Sequence, residues 1–310
     1  MTVEACLPVE LQGPDTTIAR IAAGLSGAGV YRVESAGRSY VLKVAADTEP
    51  TDRWRRKLAI LQHASAAGLA PRVIHVDDER RAVTSELVVD RGFAAWFGNP
   101  STRGDALDAL GRTLRRVHEL PLAPDPDARA PRDFIAQIWS GMTAFRFPVP
   151  AFVAEAVERR MTEEPPPRDR DPVLSHNDVN PTNLIYDGDR ILLLDWDQSG
   201  ENDPLYDLAA IALFLDIDDA SAARLVAAHD DASIAALSPR FTYMRRMVAT
   251  LCGLVFLHLA RHAGHAGSTD PTALRLAEFY GKLRSGAVQI ATPDGQWAFG
   301  LSLIHTAIAG

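Results

Sequence analysis

The chain has 310 residues, of which 47% are hydrophobic and 23% charged, a composition typical of a soluble globular protein with one large domain or two lobes. The formal net charge of −8 argues against a general nucleic-acid binder or a binder of anionic membranes, because the charge has the wrong sign. The first 25 residues lack the pattern of a secretory signal, and the longest apolar stretch, Leu254–Ala260, is too short to cross a bilayer. We therefore expect a cytoplasmic location.

The first 89 residues predict a small, mostly antiparallel sheet with one helix. Residues 30–33 and 40–44 are predicted to be two strands that are joined through Ala36-Gly37, which makes a hairpin. The period of two in the second strand places Lys43 on the face opposite Leu42. Helical spacing covers 52–67, and two further strands are predicted at 72–76 and 82–89.

From residue 90 the spacing of apolar residues becomes helical, which predicts an α+β protein with a strand-rich first lobe, 1–89, and a helical second lobe, 90–310. One short strand and one hairpin interrupt the helices. Asp203-Pro204 combines a capping residue with a proline suited to the first helical position. In chain order we predict helices at 107–120, 133–142 and 151–162, a strand at 173–175, hairpin strands at 184–186 and 191–194, and helices from 203 onward.

The strongest chemical signal is the loop His176-Asn177-Asp178-Val179-Asn180-Pro181-Thr182-Asn183, followed after the hairpin by Asp195-Trp196-Asp197. Phosphoryl transfer requires a carboxylate that orients the attacking hydroxyl and oxygen ligands that hold magnesium against the phosphates. An Asp and an Asn five residues apart on one loop can meet these needs, and an Asp at a strand end can bind the metal from another side. The alternative is that these are ordinary turn residues, since Asp and Asn favour turns.

Residues 174–209 resemble the core of the aminoglycoside phosphotransferase and choline kinase family, whose members are relatives of protein kinases. The shared pattern is His-x-Asp-x-x-x-x-Asn, a hairpin, Asp-Trp, and then Asp-Pro-x-x-Asp-Leu. The resemblance implies a two-lobed protein-kinase-like fold, with a small antiparallel-sheet N-lobe and a larger helical C-lobe. It also implies transfer of the γ-phosphoryl group of Mg²⁺-ATP or Mg²⁺-GTP to the hydroxyl of a small molecule.

The same resemblance implies a role for each matching residue of the core. Asp178 would be the catalytic base, and Asn183 and Asp195 would bind Mg²⁺. Asp207 would brace the catalytic loop from within, and His176 would support the site without touching the substrate.

Upstream, the resemblance places the nucleotide-binding residues in the first lobe. Ser26 and Gly27 lie where the family has the turn that covers the phosphates, and Lys43 lies where a strand lysine contacts the α- and β-phosphates. The stretch 85–90, which includes Glu86 and Val88, would be the hinge whose backbone holds the nucleotide base.

One position departs from the family pattern. The helix after the lysine strand usually carries a glutamate that pairs with this lysine, but Lys57 stands at that place, and no acidic residue lies between Trp54 and Ala70. The partner of Lys43 must then be Asp52, come from elsewhere, or be absent. We expect Lys57 to face solvent; the alternative is that Lys57 itself reaches the phosphates.

Three other functions are alternatives to a small-molecule kinase. A protein kinase is disfavoured because only seven residues separate Asp195 from Asp203, which leaves no room for an activation loop. A metal hydrolase would not need Lys43 or the first lobe. A nucleotide- or metabolite-binding pseudokinase without turnover stays open, because the helix glutamate is missing.

The charge distribution suggests a positively charged acceptor. Between Asp171 and Ala235 there are 14 acidic residues against two basic ones, while the rest of the chain has 30 basic and 26 acidic residues. Asp197 is the first candidate for a contact with the substrate. The other candidates are Glu201, Asp216, Asp218, Asp219, Asp230 and Asp231.

Overall fold

The computed structural model describes residues 2–21, 28–122, 124–125, 128–168 and 170–309. In chain order the elements are β1 (Thr17–Arg20), β2 (Gly29–Ser35), β3 (Arg38–Val44), α1 (Thr51–Ala66), β4 (Val73–Asp77), β5 (Ala82–Glu86), α2 (Phe93–Gly98), α3 (Arg103–His118), α4 (Pro131–Ala144), α5 (Ala151–Thr162), β6 (Val173–Ser175), β7 (Leu184–Tyr186), β8 (Ile191–Leu193), β9 (Gly200–Asn202), α6 (Pro204–Phe214), α7 (Asp219–Asp230), α8 (Pro239–His262), α9 (Leu276–Arg284) and α10 (Pro293–Ala309).

The chain packs into two compact units. The first consists of Met1–Pro121 and Pro181–Ser199, and the second of Leu122–Asn180 and Gly200–Gly310. The first unit therefore includes α2, α3 and the β7–β8 hairpin in addition to the sheet. The division at 1–89 and 90–310 follows the change from strands to helices, and it stays a prediction about the functional lobes.

The first unit is built on a five-stranded antiparallel sheet with the order β1-β2-β3-β5-β4. The predicted hairpin is confirmed: Ser35 pairs with Arg38, which leaves Ala36 and Gly37 as a two-residue turn. Both turn residues have positive φ, 50° and 73°, as in the type I′ turns that match the twist of paired strands.

The two faces of β3 have different neighbours, as its alternation predicted. Leu42 is completely buried and packs with Val33 and with the N-terminal residues Cys6, Leu7 and Leu11. Burial of these side chains holds the N-terminal segment on one face of the sheet. Lys43 is thereby left on the opposite face.

Hydrogen bonds join the β7–β8 hairpin to the rest of the first unit. Leu193 N donates to Leu69 O (2.8 Å), and Arg91 N donates to Tyr186 O (2.7 Å). The carboxylate of Asp90 also accepts from Tyr186 N (3.0 Å). The segment after β5 and the turn after α1 therefore hold the hairpin in place.

Helix α8 is the centre of the second unit, where it packs against α10, α6, α4 and α5. At the crossing with α10, a Cβ added to Gly300 would lie 2.8 Å from Gly253 O, so this approach requires glycine. By length and composition α8 could span a membrane, but 56% of its apolar window is buried inside the unit, as in the core helix of a soluble protein.

Among the β-strands and α-helices of the described chain, three were not predicted: β1, α2 and β9. β1 is an edge strand with three of four residues exposed, so it lacks the alternation of a half-buried strand. β5 ends at Glu86 instead of residue 89, and α3 begins at Arg103 instead of 107. β9 has only three residues, Gly-Glu-Asn, which do not favour a strand.

Candidate active site

A cavity of about 560 Å³ in the first unit contains most of the predicted nucleotide-binding residues. Its size lies within the range of small-molecule sites. Lys43, Asn183, Asp195, Glu86 and Val88 all line it. Ser26 and Gly27 lie outside the described residues, and Ala28 just after them lines the cavity.

Lys43 is paired with two carboxylates in this cavity. Its Nζ lies 2.8 Å from Asp195 Oδ1 and 2.8 Å from Asp197 Oδ1. Burial disfavours the charged form of the lysine, but the charges of Asp197 and Asp195 outweigh this effect and raise the pKa of Lys43. The side chain is therefore an ammonium group held at the end of the cavity where the Asp195-Trp196-Asp197 segment lies.

The missing helix glutamate has no replacement on α1. Asp52 is exposed, and it is Lys57 that enters the cavity wall, with 18% of its side chain exposed. Lys57 Nζ pairs with Glu49, which lies just before α1 and also lines the cavity. The prediction that Lys57 faces solvent was wrong, because its position belongs to the inner stripe of the helix.

The register of the β7–β8 hairpin brings the two predicted metal ligands side by side. Leu184 pairs with Leu193, and Leu194 N donates to Asn183 O (2.9 Å), so Asn183 and Asp195 flank the open end of the hairpin. Asp195 has a φ of 58°, in the left-handed region that aspartate tolerates better than most residues. A carboxylate and an amide oxygen are the hard ligands that Mg²⁺ prefers, so this pair fits the metal.

Four residues of the predicted hinge line the cavity: Ser85, Glu86, Leu87 and Val88. The carboxylate of Glu86 turns to Arg72, whose backbone N donates to Glu86 Oε1 (3.0 Å). Leu87 N donates to Ser39 O (3.2 Å), which continues the pairing with β3. These bonds fix the segment that was predicted to hold the nucleotide base.

In the second unit, Asp207 holds the backbone of the predicted catalytic loop. Its two carboxylate oxygens accept from His176 N (2.7 Å) and Asn177 N (2.9 Å), and Asp207 and His176 are both completely buried. Asn180 Nδ2 donates to Asp178 Oδ1 (3.0 Å), which orients that carboxylate. No sequence pattern indicates this role of Asn180.

Polar loop residues support the same segment from β9. Asn177 adopts a left-handed conformation with a φ of 62°. Its side-chain oxygen accepts from Asn202 Nδ2 (2.8 Å), and its amide approaches Gly200 O (3.4 Å). β9 is thereby tied to the loop that carries Asp178.

Two groups of the second unit, Tyr206 and Cys252, have pKa values that are raised in part by the charge of Asp178. Burial raises the pKa of the Cys252 thiol to about 12, and the charge of Asp178 adds to this shift. Burial also raises the pKa of Tyr206 well above its usual value, with smaller contributions from Cys252, Asp207 and Asp178. These effects place Tyr206 and Cys252 near the predicted catalytic base.

An aromatic cluster lies one helical turn further along α8 from Cys252. Phe256, one turn after Cys252 on α8, has its ring centroid 4.7 Å from that of Phe299, and Tyr280 lies 6.0 Å from Phe299. Burial raises the pKa of Tyr280, and the charges of Asp216 and Cys252 raise it further. An acidic group, Asp216, therefore lies within electrostatic range of this cluster.

Asp197 has a position that its predicted role did not suggest. It lines the cavity of the first unit and pairs with Lys43, so it lies among the residues predicted to bind the nucleotide. Its contact with the acceptor stays a prediction.

Comparison with known proteins gives partial sequence matches and full-length structural matches. A family model described as "Phosphotransferase enzyme family" matches residues 17–247. A segment of 36 residues, 12% of the chain, is 50% identical to Protein LicA of Haemophilus influenzae, and it spans only 14% of that protein.

Two solved structures illustrate the likeness in fold. A choline/ethanolamine kinase family protein from Mesorhizobium loti is 18% identical, with 97% of this chain and 96% of that chain covered and a TM-score of 0.62. A spectinomycin phosphotransferase, solved with ADP and spectinomycin, is 14% identical, with 94% and 92% covered and a TM-score of 0.60.

The fold expected from the resemblance is therefore confirmed, with an antiparallel sheet in the N-terminal part and helices in the C-terminal part. The family model covers well over half of the chain. The chain belongs to the phosphotransferase enzyme family, as the resemblance to aminoglycoside phosphotransferases and choline kinases predicted.

Proposed function

We propose that this protein is a cytoplasmic small-molecule kinase that transfers the γ-phosphoryl group of ATP or GTP, with Mg²⁺, to a hydroxyl of a positively charged acceptor of the amino-alcohol or aminoglycoside type. The observation that carries the proposal is the single cavity that contains Lys43, Asn183, Asp195 and the hinge. A triphosphate, its metal and its base would each find suitable groups there.

The donor would lie with its base between apolar residues and its phosphates near Lys43. Val30, Val41 and Val83 supply apolar surface, and the hinge backbone supplies hydrogen-bonding groups. Asn183 and Asp195 would hold Mg²⁺, which neutralises phosphate charge when bound. An ammonium group has three donors, so Lys43 can bind phosphate oxygens without leaving the cavity.

Asp178 would act on the acceptor. Its carboxylate takes the proton of the acceptor hydroxyl, and the oxygen attacks the γ-phosphorus as the bond to the β–γ bridging oxygen breaks. The products are a phosphate monoester and the nucleoside diphosphate. Asn180 and Asp207 keep the carboxylate and its loop in position for this step.

Aromatic and acidic groups of the second unit support a cationic acceptor. Tyr280 and Phe256 are half-buried, and cations bind favourably over aromatic rings. Asp216 adds negative charge near the same cluster. The Mesorhizobium loti relative is named for choline and ethanolamine, two amino-alcohols, which agrees with this class of acceptor.

The test is transfer of labelled phosphate from [γ-³²P]ATP or GTP to a panel of amino-alcohols, aminoglycosides and neutral sugars. We expect Asp178→Asn to lower kcat by about 100- to 10,000-fold, the usual contribution of a general base, while nucleotide affinity stays nearly unchanged. Near wild-type turnover in this variant would remove Asp178 from the role of base.

A second candidate is a nucleotide-binding protein of the same fold without turnover. It is favoured by one observation: the described partners of Lys43 are Asp195 and Asp197 instead of an acidic residue on α1. Measurable nucleotide binding, with neither phosphoryl transfer to any acceptor nor nucleotide hydrolysis, would support this candidate.

A further inference from the structure

One wall of the nucleotide cavity is a single face of helix α1. Trp54, Lys57, Leu58 and Leu61 line the cavity, at the spacing of three and four residues that places side chains on one side of a helix. Lys57 is the only charged member of this stripe. Its side chain is 18% exposed, whereas that of Arg55 on the same helix is 61% exposed and lies outside the cavity.

Lys57 is held by a carboxylate that comes from outside the helix. Its ammonium pairs with Glu49, whose side chain is 15% exposed and also lines the cavity. The backbone oxygen of Glu49 accepts a hydrogen bond from Arg81, so this residue is itself fixed. The pair with Glu49 uses one of the three donors of the ammonium group and leaves others for a ligand.

The position of α1 indicates which part of a nucleotide Lys57 would meet. α1 contacts the turn Trp196–Gln198, directly after Asp195, so this helix lies at the end of the cavity where the phosphates are proposed to bind. Lys43 is already shared by Asp195 and Asp197. With Glu49, this end has three carboxylates against two ammonium groups, and a triphosphate adds several negative charges.

We infer that Lys57 is a second phosphate-binding cation of the donor site, which contacts the nucleotide phosphates together with Lys43, and that Glu49 is the positioning residue that directs it into the cavity. This inference rests on the proposed function. A merely structural role is the alternative, in which the pair of Lys57 and Glu49 only fastens α1 to the preceding loop.

The test compares ligands with and without phosphates. Dissociation constants of ATP and of adenosine are measured by calorimetry for the wild type and Lys57→Met, with Arg55→Met as the matched control on the same helix. We expect Lys57→Met to weaken ATP binding by about 10- to 100-fold, as for the loss of one hydrogen bond to a charged group, and to leave adenosine binding unchanged. Arg55→Met should change neither.

Two further variants complete the design. Lys57→Arg keeps the charge and should restore most of the ATP affinity, and Lys57→Gln replaces Lys57→Met if the latter does not fold. Glu49→Gln should weaken ATP binding less than Lys57→Met, because the ammonium group remains. An unchanged ratio of ATP to adenosine affinity in the folded Lys57 variants would overturn the inference but leave the kinase proposal standing. Failure of the wild type to bind ATP or GTP would overturn both.

Discussion

The carboxylate of Asp195 belongs to two arrangements. It pairs with Lys43 at 2.8 Å, and it stands beside Asn183 at the open end of the β7–β8 hairpin. The first arrangement already holds one cation next to this carboxylate. A divalent metal bound by Asp195 and Asn183 would therefore compete with the ammonium group of Lys43 for the Asp195 carboxylate. This competition would favour contacts between Lys43 and the phosphate oxygens.

Removal of either metal ligand should reduce the dependence of nucleotide binding on Mg²⁺. In the wild type we expect Mg²⁺ to increase ATP affinity by about tenfold or more. Asp195→Ala should lose this increase, since a hard dication needs this oxygen ligand, and Asn183→Ala should lose part of it. Calorimetric titration of ATP with and without Mg²⁺ measures the effect. Asp189→Ala, in the exposed turn of the same hairpin, is the control. Unchanged Mg²⁺ dependence in both ligand variants would refute the metal assignment.

Among individual site residues, those that belong to a contiguous sequence motif could be predicted. Asn183 and Asp195 meet because hairpin pairing brings the residues flanking two short strands together, and this pairing is readable from the turn between them. Lys57 was misplaced because its partner, Glu49, comes from a loop without periodicity. Asn180 was missed because a side chain that orients a neighbour has no sequence pattern of its own.

The start of helix α6 depends on a buried ion pair. Asp203 caps the helix by accepting from Leu205 N (2.9 Å), as the Asp-Pro signal predicted. Arg240 on α8 donates from Nε to Asp203 Oδ2 at 2.5 Å and also binds Pro166 O. Both side chains of the pair are almost completely buried, at 6% and 4% exposed. This pair therefore joins the element that carries Asp207 to the core helix.

Removal of the arginine should destabilise the protein strongly. We expect Arg240→Leu to lower the free energy of unfolding by about 3–5 kcal/mol, because it leaves the Asp203 carboxylate buried without its cation. Arg245→Leu is the matched control on the same helix: its partner Asp219 is 74% exposed, and exposed pairs contribute about 0–1 kcal/mol. Urea unfolding followed by circular dichroism measures both. Equal effects of the two substitutions would contradict the expectation.

Elements were predictable where the local pattern is strong, and their packing was not. The β2–β3 hairpin and α1 follow from alternation, turn residues and helical spacing, all of which lie within a few residues. The crossing of α8 and α10 depends on Gly253 and Gly300, which are far apart in the chain and which in sequence alone only weaken a helix. Close packing between distant segments decides such a contact.

Across the whole molecule, much of the acidic excess between Asp171 and Ala235 is neutralised locally. Asp218 caps α7 by accepting a hydrogen bond from Ser221 N. Three other acidic residues that were candidates for substrate contacts are in ion pairs with basic residues. These pairs are Asp197 with Lys43, Asp219 with Arg245, and Asp230 with Arg170. The long-range attraction of cations is therefore weaker than the count of carboxylates suggests, and selection of the acceptor should depend on short-range contacts.

This distinction can be measured with acceptors that differ only in charge. Choline and its neutral isostere 3,3-dimethylbutan-1-ol, with an anionic alcohol of similar size, are compared at low and high ionic strength. We expect kcat/KM to favour the cation by about tenfold, as for one or two cation–π contacts, because half-buried aromatic residues and Asp216 lie close together in the second unit. The preference should change little with salt, since contacts shorter than the Debye length are weakly screened. Preference for the neutral or anionic alcohol would refute a cationic acceptor, whereas a preference that disappears at high salt would show that long-range attraction by the acidic segment selects it.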